Sequence, residues 1–293
     1  MKKRINVLSL FDGMSCGRIA LDRACIEVNT YYASEIDKYA IQVSNDNYPD
    51  IIRLGDVTKW KEWDIDWSTI DLLIGGSPCQ GFSFAGKQLA FDDPRSVLFF
   101  EYVAILNHIK EVNPKVKFLL ENVKMKKEYM NVISQMLQVQ PMFINSSLLS
   151  AQNRQRYYWF NWFVSEPKDK GIALKDILEE LPFRELKPFV FGYFGSVKRI
   201  DNLKTIKSEK ANCCTTNSFH PTQYYLNESR TKMRNLSVLE YERLQTVPDN
   251  YTNYVSNTQR YRMIGNGWTV DVIAHIFMGL INKDVDKVLK LDL

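Results

Sequence analysis

A chain of 293 residues, 45% hydrophobic and 25% charged, can bury one large core with room for a second, smaller lobe. No run approaches the ~18 apolar residues of a membrane span, and Met1-Lys2-Lys3-Arg4 leads straight into a strand-like segment, so neither a span nor a signal peptide is expected and the chain reads as cytoplasmic. Five cysteines in no chelating spacing and only three histidines argue against a zinc site, and a net charge of +4 is too weak to name a partner.

Over the first two-thirds, short apolar runs alternate with helical patterns. Residues 5–11, 31–36, 52–55, 72–74 and 116–120 read as strands, and 96–110 carries Val97, Phe100, Val103, Ala104 and Ile109 at helical spacing. Strands alternating with helices predict an α/β fold with a mostly parallel, twisted sheet. Two β-rich runs, 143–149 and 156–163, are expected to form an antiparallel pair at one sheet edge. From 166 to about 234 the pattern loosens into Gly, Pro and Asn with short apolar pieces, which predicts a small lobe. Residues 184–234 hold ten lysines and arginines against four acids, the footprint of a nucleic-acid contact or of a solvated surface. Helices are expected again at 236–244 and 269–280. The resulting division is 1–165, a lobe at 166–234, and 235–293 returning to the first domain.

The chemistry-bearing residues gather at predicted strand ends, where open α/β sheets bind ligands. After the first strand comes Phe11-Asp12-Gly13-Met14-Ser15-Cys16-Gly17-Arg18, a glycine-bearing turn opening a helix. The second strand ends at Glu35-Ile36, where a carboxylate can accept from two ribose hydroxyls. The third is followed by Asp56-Val57, suited to an adenine amino group or to capping a helix. After the fourth, Gly75-Gly76-Ser77-Pro78-Cys79-Gln80-Gly81 puts a thiol on a loop, where it reads as a nucleophile or as a buried cysteine beside a turn. The fifth ends in Glu121-Asn122-Val123; a carboxyl leaving a buried run tends to hold its proton. Arg154 and Arg156, alternate residues on one strand face, suit phosphate or carbonyl oxygens.

In this order, and with Leu236-Ser237-Val238-Leu239-Glu240 and Ile264-Gly265-Asn266-Gly267-Trp268-Thr269 behind them, these segments resemble the DNA (cytosine-5)-methyltransferase family over nearly the whole chain. The resemblance to its compact, phage-like and de novo-like members implies a Rossmann-like class I methyltransferase fold with a small target-recognition lobe. It implies S-adenosyl-L-methionine as cofactor, S-adenosyl-L-homocysteine as product, and no metal. Phe11, Asp12, Gly13, Gly17, Glu35, Ile36, Asp56, Val57, Asn266 and Val270 would form the cofactor site. Cys79 would attack carbon 6 of a flipped-out cytosine in double-stranded DNA, Pro78 would shape its loop, Glu121 would serve ring nitrogen 3, and Arg156 the ring carbonyl. Arg154 would anchor the fold or a phosphate.

The chain departs from the family's first motif at Ser15-Cys16, where further glycines are usual. The rival readings are a tRNA cytosine-5 methyltransferase, disfavoured because Cys214-Thr215-Thr216 is not that branch's Cys-Phe-Thr; a catalytically silent DNA-binding relative; and a cysteine hydrolase, which would need His108, His220 or His275. The partners to expect are DNA, a cognate restriction enzyme or none (an orphan or phage enzyme), and a second copy of the chain meeting around Phe99 and Tyr102. Lys210-Ala211-Asn212-Cys213-Cys214 is read either as a DNA-backbone contact or as an ordinary loop.

Overall fold

The structure is a computed structural model and describes residues 4–77, 97–182, 184–185, 189–191, 197–199, 209–215, 224–226 and 232–281. Pro78 and Cys79 lie outside the described residues, as does His220.

The chain builds β1 (Ile5–Leu10), α1 (Cys16–Arg23), β2 (Val28–Ser34), α2 (Lys38–Asn47), β3 (Ile52–Arg53), β4 (Leu72–Gly75), α3 (Val97–Val112), β5 (Lys117–Val123), α4 (Lys127–Leu137), β6 (Met142–Asn145) and β7 (Gln155–Phe160). They give one seven-stranded sheet in the order β3-β2-β1-β4-β5-β7-β6. The pairs among β1 to β5 are parallel, and β7 runs antiparallel to both β5 and β6. The expected antiparallel pair therefore does close one edge.

Period-two alternation in the central strands explains the layers. Val7 of β1, Leu72 and Ile74 of β4 and Leu119 of β5 join one core, which contains Ile19 and Leu21 of α1. Their neighbours Leu8, Leu10, Leu73, Phe118 and Leu120 join a second core on the opposite face, with Phe99, Ile105 and Ile109 of α3 and Ile133 of α4. Strand order reverses between β1 and β4, the kind of switch point at whose carboxyl ends open α/β sheets bind their ligands.

Phe99 and Tyr102 are both 0% exposed inside that second core, so the expected dimer contact is corrected. Helix α3 is apolar on most of its circumference because it packs on the sheet and on the turns at 57–69, and apolar residues that looked like a surface in sequence are core.

Toward the C-terminus, β8 (Arg184–Glu185), β9 (Phe189–Phe191), β10 (Val197–Arg199), β11 (Tyr224–Leu226) and β12 (Lys232–Asn235) make two small sheets. β9 pairs with β10, and β12 lies between β8 and β11, all antiparallel. Not all of 166–234 stands apart from the body. Leu174, Ala211 and Cys214 are buried in the first core. Ala211 bridges to Gln152 and exchanges backbone hydrogen bonds with Ala151 and Asn153 at 2.7 and 2.8 Å. The Lys210 ammonium donates to the carbonyls of Ser147, at 2.7 Å, Ser150, at 3.2 Å, and Ile172, which makes it an internal staple. Arg234, counted in the basic segment, is likewise buried against Glu240.

The chain then returns through α5 (Val238–Leu244), α6 (Asn257–Asn266) and α7 (Val270–Met278). Ser237 and Glu240 form a reciprocal capping box that starts α5. Val270, Ile273 and Phe277 bury the α7 stripe in the first core.

Candidate active site

At the end of β1 the backbone enters the left-handed region three times, at Phe11 (φ 57°), Gly13 (φ 57°) and Ser15 (φ 63°). Nothing lies within 4 Å of where a Gly13 side chain would start, so the turn leaves open space there. Ser15 adopts its conformation without being glycine because its hydroxyl is bound on both sides, to the Asp12 carboxylate and to Ser44. Asp12 is fully enclosed, accepting also from the Tyr31 hydroxyl at 2.8 Å and from Arg53 at 3.4 Å. Burial raises the Asp12 carboxyl above the ordinary range, against the pull of those donors. Asp12 thus lies beneath the turn, and a carboxylate so placed supports a ligand only indirectly. Gly17 packs α1 against the sheet: a Cβ there would stand 2.5 Å from Ile74 Cδ1.

Glu35 leaves β2 with both oxygens engaged. Oε2 accepts from Gly13 N–H at 2.7 Å, and Oε1 from Ile36 N–H at 2.7 Å and Asp37 N–H at 2.9 Å. The carboxylate therefore ties the β1 turn to the β2 end and keeps about one of its roughly four acceptor positions. Beside it Ile36 is 73% exposed, an apolar side chain left uncovered at a strand end. Asp56 caps the turn at 57–62 through Thr58 N–H at 2.9 Å, and Val57 is buried beneath it. Asn266 is exposed at the end of α6, whereas Val270, 0% exposed, is core and supports the crevice from behind.

Across the switch point, β4 ends at Gly75, and Gly76-Ser77 lead toward Cys79. Ser77 Oγ accepts from Asn122 Nδ2 at 3.3 Å, fixing the departing chain to the end of β5. In the β5–β7 register Glu121 pairs with Tyr158, which makes Arg156 its diagonal neighbour on the same face. The Arg156 Nε accordingly reaches Glu121 Oε1 at 2.8 Å, with both side chains mostly buried. Trp268 Nε1–H donates to the other oxygen, Oε2, at 3.2 Å.

Arg154 precedes β7 and meets different partners. Its guanidinium donates to Gly267 O at 2.8 Å, Gly265 O at 3.3 Å and Cys214 O at 3.1 Å, and lies 3.3 Å from Cys213 Sγ. Arg156 Nη2 approaches the same sulfur at 4.0 Å. Burial pushes the Cys213 thiol up, but the guanidinium groups of Arg154 and Arg156 outweigh it, and the thiol lies below the ordinary range. Burial instead pushes Cys16 up to about 12 and Cys214 well up. Trp268 and Cys213 were missed as site residues, although both stand in segments that had been singled out. Nothing at sequence level gives an indole a place beside Glu121 or a second thiol one beside Arg154 and Arg156.

Among the described residues no cluster of metal-ligating side chains occurs, and no helix is long and apolar enough to cross a membrane.

The family model described as C-5 cytosine-specific DNA methylase matches residues 5–161 and 168–282. The chain is 32% identical to the Type II methyltransferase M1.ScrFI of Lactococcus lactis subsp. cremoris, over 93% of this chain and 77% of that protein. It is 34% identical to the Type II methyltransferase M.NgoBV of Neisseria gonorrhoeae over 64% of this chain, and spans about half of that protein's length, 49%. The solved Dnmt2 methyltransferase of S. pombe shares the fold, with a TM-score of 0.67 at 17% identity, over 94% of this chain and 97% of that one. A strand order that reverses between β1 and β4, with glycine turn, acids and the Glu121–Arg156 pair following the strand ends, belongs to a chain whose sequence the family model matches almost end to end: it is a member of the C-5 cytosine-specific DNA methylase family.

Proposed function

We propose that the protein methylates carbon 5 of a cytosine flipped out of double-stranded DNA, using S-adenosyl-L-methionine and a covalent Cys79 adduct. The observation that carries this reading is the position of Glu121. It is clamped to Arg156 at the end of β5 and stands against Gly76, three residues before Cys79 in the chain, which supports a reading in which that thiol acts together with this carboxylate and guanidinium.

The first half of the crevice fits the cofactor. An open turn at Gly13, an uncovered Ile36 and the Glu35 carboxylate at adjacent strand ends offer space, an apolar face and an acceptor. Phe11, Asp56 and Asn266 complete this rim, while Asp12, Gly17, Val57 and Val270 hold it from beneath. When bound, the cofactor supplies an electrophilic methyl group.

Carbon 5 of cytosine is a weak nucleophile. Cys79 adds as a thiolate to carbon 6, the electron pair of the 5,6 double bond moves into the ring, and Glu121 protonates or hydrogen-bonds nitrogen 3 where charge accumulates. Arg156 binds the ring carbonyl oxygen. After carbon 5 takes up the methyl group, loss of its proton and expulsion of Cys79 restore the ring. The base must leave the stack to reach these groups. Arg154 anchors α6–α7 to β7, Pro78 shapes the loop, and the small sheets within 166–234 form the recognition lobe. No metal takes part in this scheme.

The test is transfer of labelled methyl from S-adenosyl-L-methionine to duplex DNA and to tRNA, with base-resolution mapping. Label at cytosine carbon 5 in DNA, lost in Cys79→Ser while cofactor still binds, is the expected result. Label in tRNA alone, or undiminished methylation by Cys79→Ser, overturns the reading.

A further inference from the structure

The indole of Trp268 meets three segments of the site and has been given no role above. Its Nε1–H donates to Glu121 Oε2 at 3.2 Å. A Cβ at Gly76 would lie 2.8 Å from that nitrogen and 3.0 Å from Glu121 Oε2, so the bare glycine backbone is what lets ring and carboxylate meet. A Cβ at Gly17 would stand 3.4 Å from Trp268 Cζ3, placing the ring's far edge on α1, just behind the turn that begins the cofactor half. One side chain therefore spans α1, the chain leading to Cys79, and the carboxylate.

We propose that Trp268 is a positioning residue for Glu121, fixing which carboxylate oxygen serves the target base. The inference rests on the function proposed above. An indole nitrogen can donate and cannot accept, so Oε2 is held as the acceptor. With one acceptor position of Oε2 occupied by the indole, the proton that Glu121 shares with ring nitrogen 3 is assigned to Oε1, the oxygen that Arg156 now holds. The two partners divide the carboxylate: Trp268 keeps Oε2 through the cycle, and Arg156 yields Oε1 to the incoming base while its own N–H groups turn to the ring carbonyl. Loss of one hydrogen bond to a charged group in an enclosed site predicts a fall in rate of about ten- to a hundredfold.

The experiment replaces Trp268 with phenylalanine and, separately, with benzothienylalanine, which keeps the bicyclic shape but carries sulfur in place of N–H. Four quantities are read: affinity for S-adenosyl-L-homocysteine, KM for duplex DNA, the single-turnover methylation rate, and release of tritium from carbon 5 of labelled cytosine without cofactor. The last reports thiol addition and hydrogen exchange at carbon 5 without methyl transfer. The expected result is both rates down by about ten- to a hundredfold in both variants, with affinity and KM nearly unchanged. Unchanged rates in the benzothienyl variant would overturn the proposal, as would weakened cofactor affinity with intact single-turnover chemistry, which would make Trp268 a wall of the cofactor pocket. A wild-type protein that methylates no DNA would overturn the underlying functional reading instead, so the two failures are distinguishable.

Discussion

Arg154→Lys separates an anchoring from a catalytic role for an arginine that sequence reasoning grouped with Arg156. The Arg154 guanidinium makes contacts in two directions: Nη2 to the carbonyls of Gly267 and Gly265 at 2.8 and 3.3 Å, and Nη1 to Cys214 O at 3.1 Å and Cys213 Sγ at 3.3 Å. A lysine ammonium is a point donor and can serve one direction only. At least two charge-assisted hydrogen bonds are then lost, each worth about 1.5–3 kcal/mol, and buried carbonyls are left unpaired. The expected loss of stability is about 3–5 kcal/mol, a fall in Tm on the order of 10 °C for a chain of this size. Urea denaturation followed by far-UV circular dichroism measures it, with an unchanged m-value showing that two-state unfolding persists. DNA methylation assayed well below the lowered Tm should stay within a few-fold of wild type. A variant that keeps its Tm within about 2 °C but cannot methylate DNA would refute the anchoring role and give Arg154 a part in catalysis.

Glu240→Gln should cost about 3–5 kcal/mol, because the carboxylate accepts from Arg234 at 2.6 and 2.8 Å, from Ser237 N–H at 2.7 Å and from Glu179 N–H at 2.8 Å. Adding Arg234→Met should recover part of that loss in a double-mutant cycle; additive losses would show that the pair is uncoupled. Among Cys16, Cys213 and Cys214, mass-mapped alkylation near neutral pH should favour Cys213, the one held down by two guanidinium groups, and preference for either of the others would contradict that electrostatic picture. Asp12 titrates above its ordinary 3.8 in the folded chain, so above that value the folded state binds more protons than the unfolded one and this group's contribution to stability falls as pH rises. Asp12→Asn should remove that slope, as seen by comparing urea midpoints of variant and wild type across the acid range; identical pH dependence would show that the carboxyl is not so shifted.

The sheet was legible because its strands obey simple rules. Residues 5–10, 72–75 and 117–123 are apolar runs ended by glycine or acid, and alternate side chains entering two cores make such runs continuous. Helices α4 and α6 were not anticipated, and α2 was expected only through the alternation of strands with helices. α2 buries only Ala40, Val43 and Ser44, and α6 reads Asn-Thr-Gln-Arg-Tyr-Arg, so neither presents a clear stripe. Their positions follow from local caps and tertiary packing, such as Asp37 accepting from Tyr39 N–H at the start of α2. The lobe boundary blurred for a related reason. Residues 209–215 look like loop by composition, but Ala211 and Cys214 are drawn into the core by a backbone bridge to residues 151–153.

The two arginines show where sequence spacing stops being informative. Alternate positions on a strand predict one face and similar partners. The strand begins between them, however. Arg156 is inside β7, where the register with β5 sets it diagonal to Glu121, so pairing strands is enough to build the ion pair. Arg154 lies one residue outside, beyond the register with β5, and its fork closes on the carbonyls at the α6–α7 junction. One arginine is thereby spent on holding the carbonyls of Gly265 and Gly267. The other remains paired to a carboxylate that a base can take over. A buried guanidinium paired to a carboxylate avoids the penalty of an uncompensated charge until the base arrives. On the proposed mechanism, cytosine entry then exchanges one set of hydrogen bonds for another instead of creating them from nothing. On that mechanism Glu121 and Arg156 are ordered before the base arrives, which is the condition for electrostatic preorganisation.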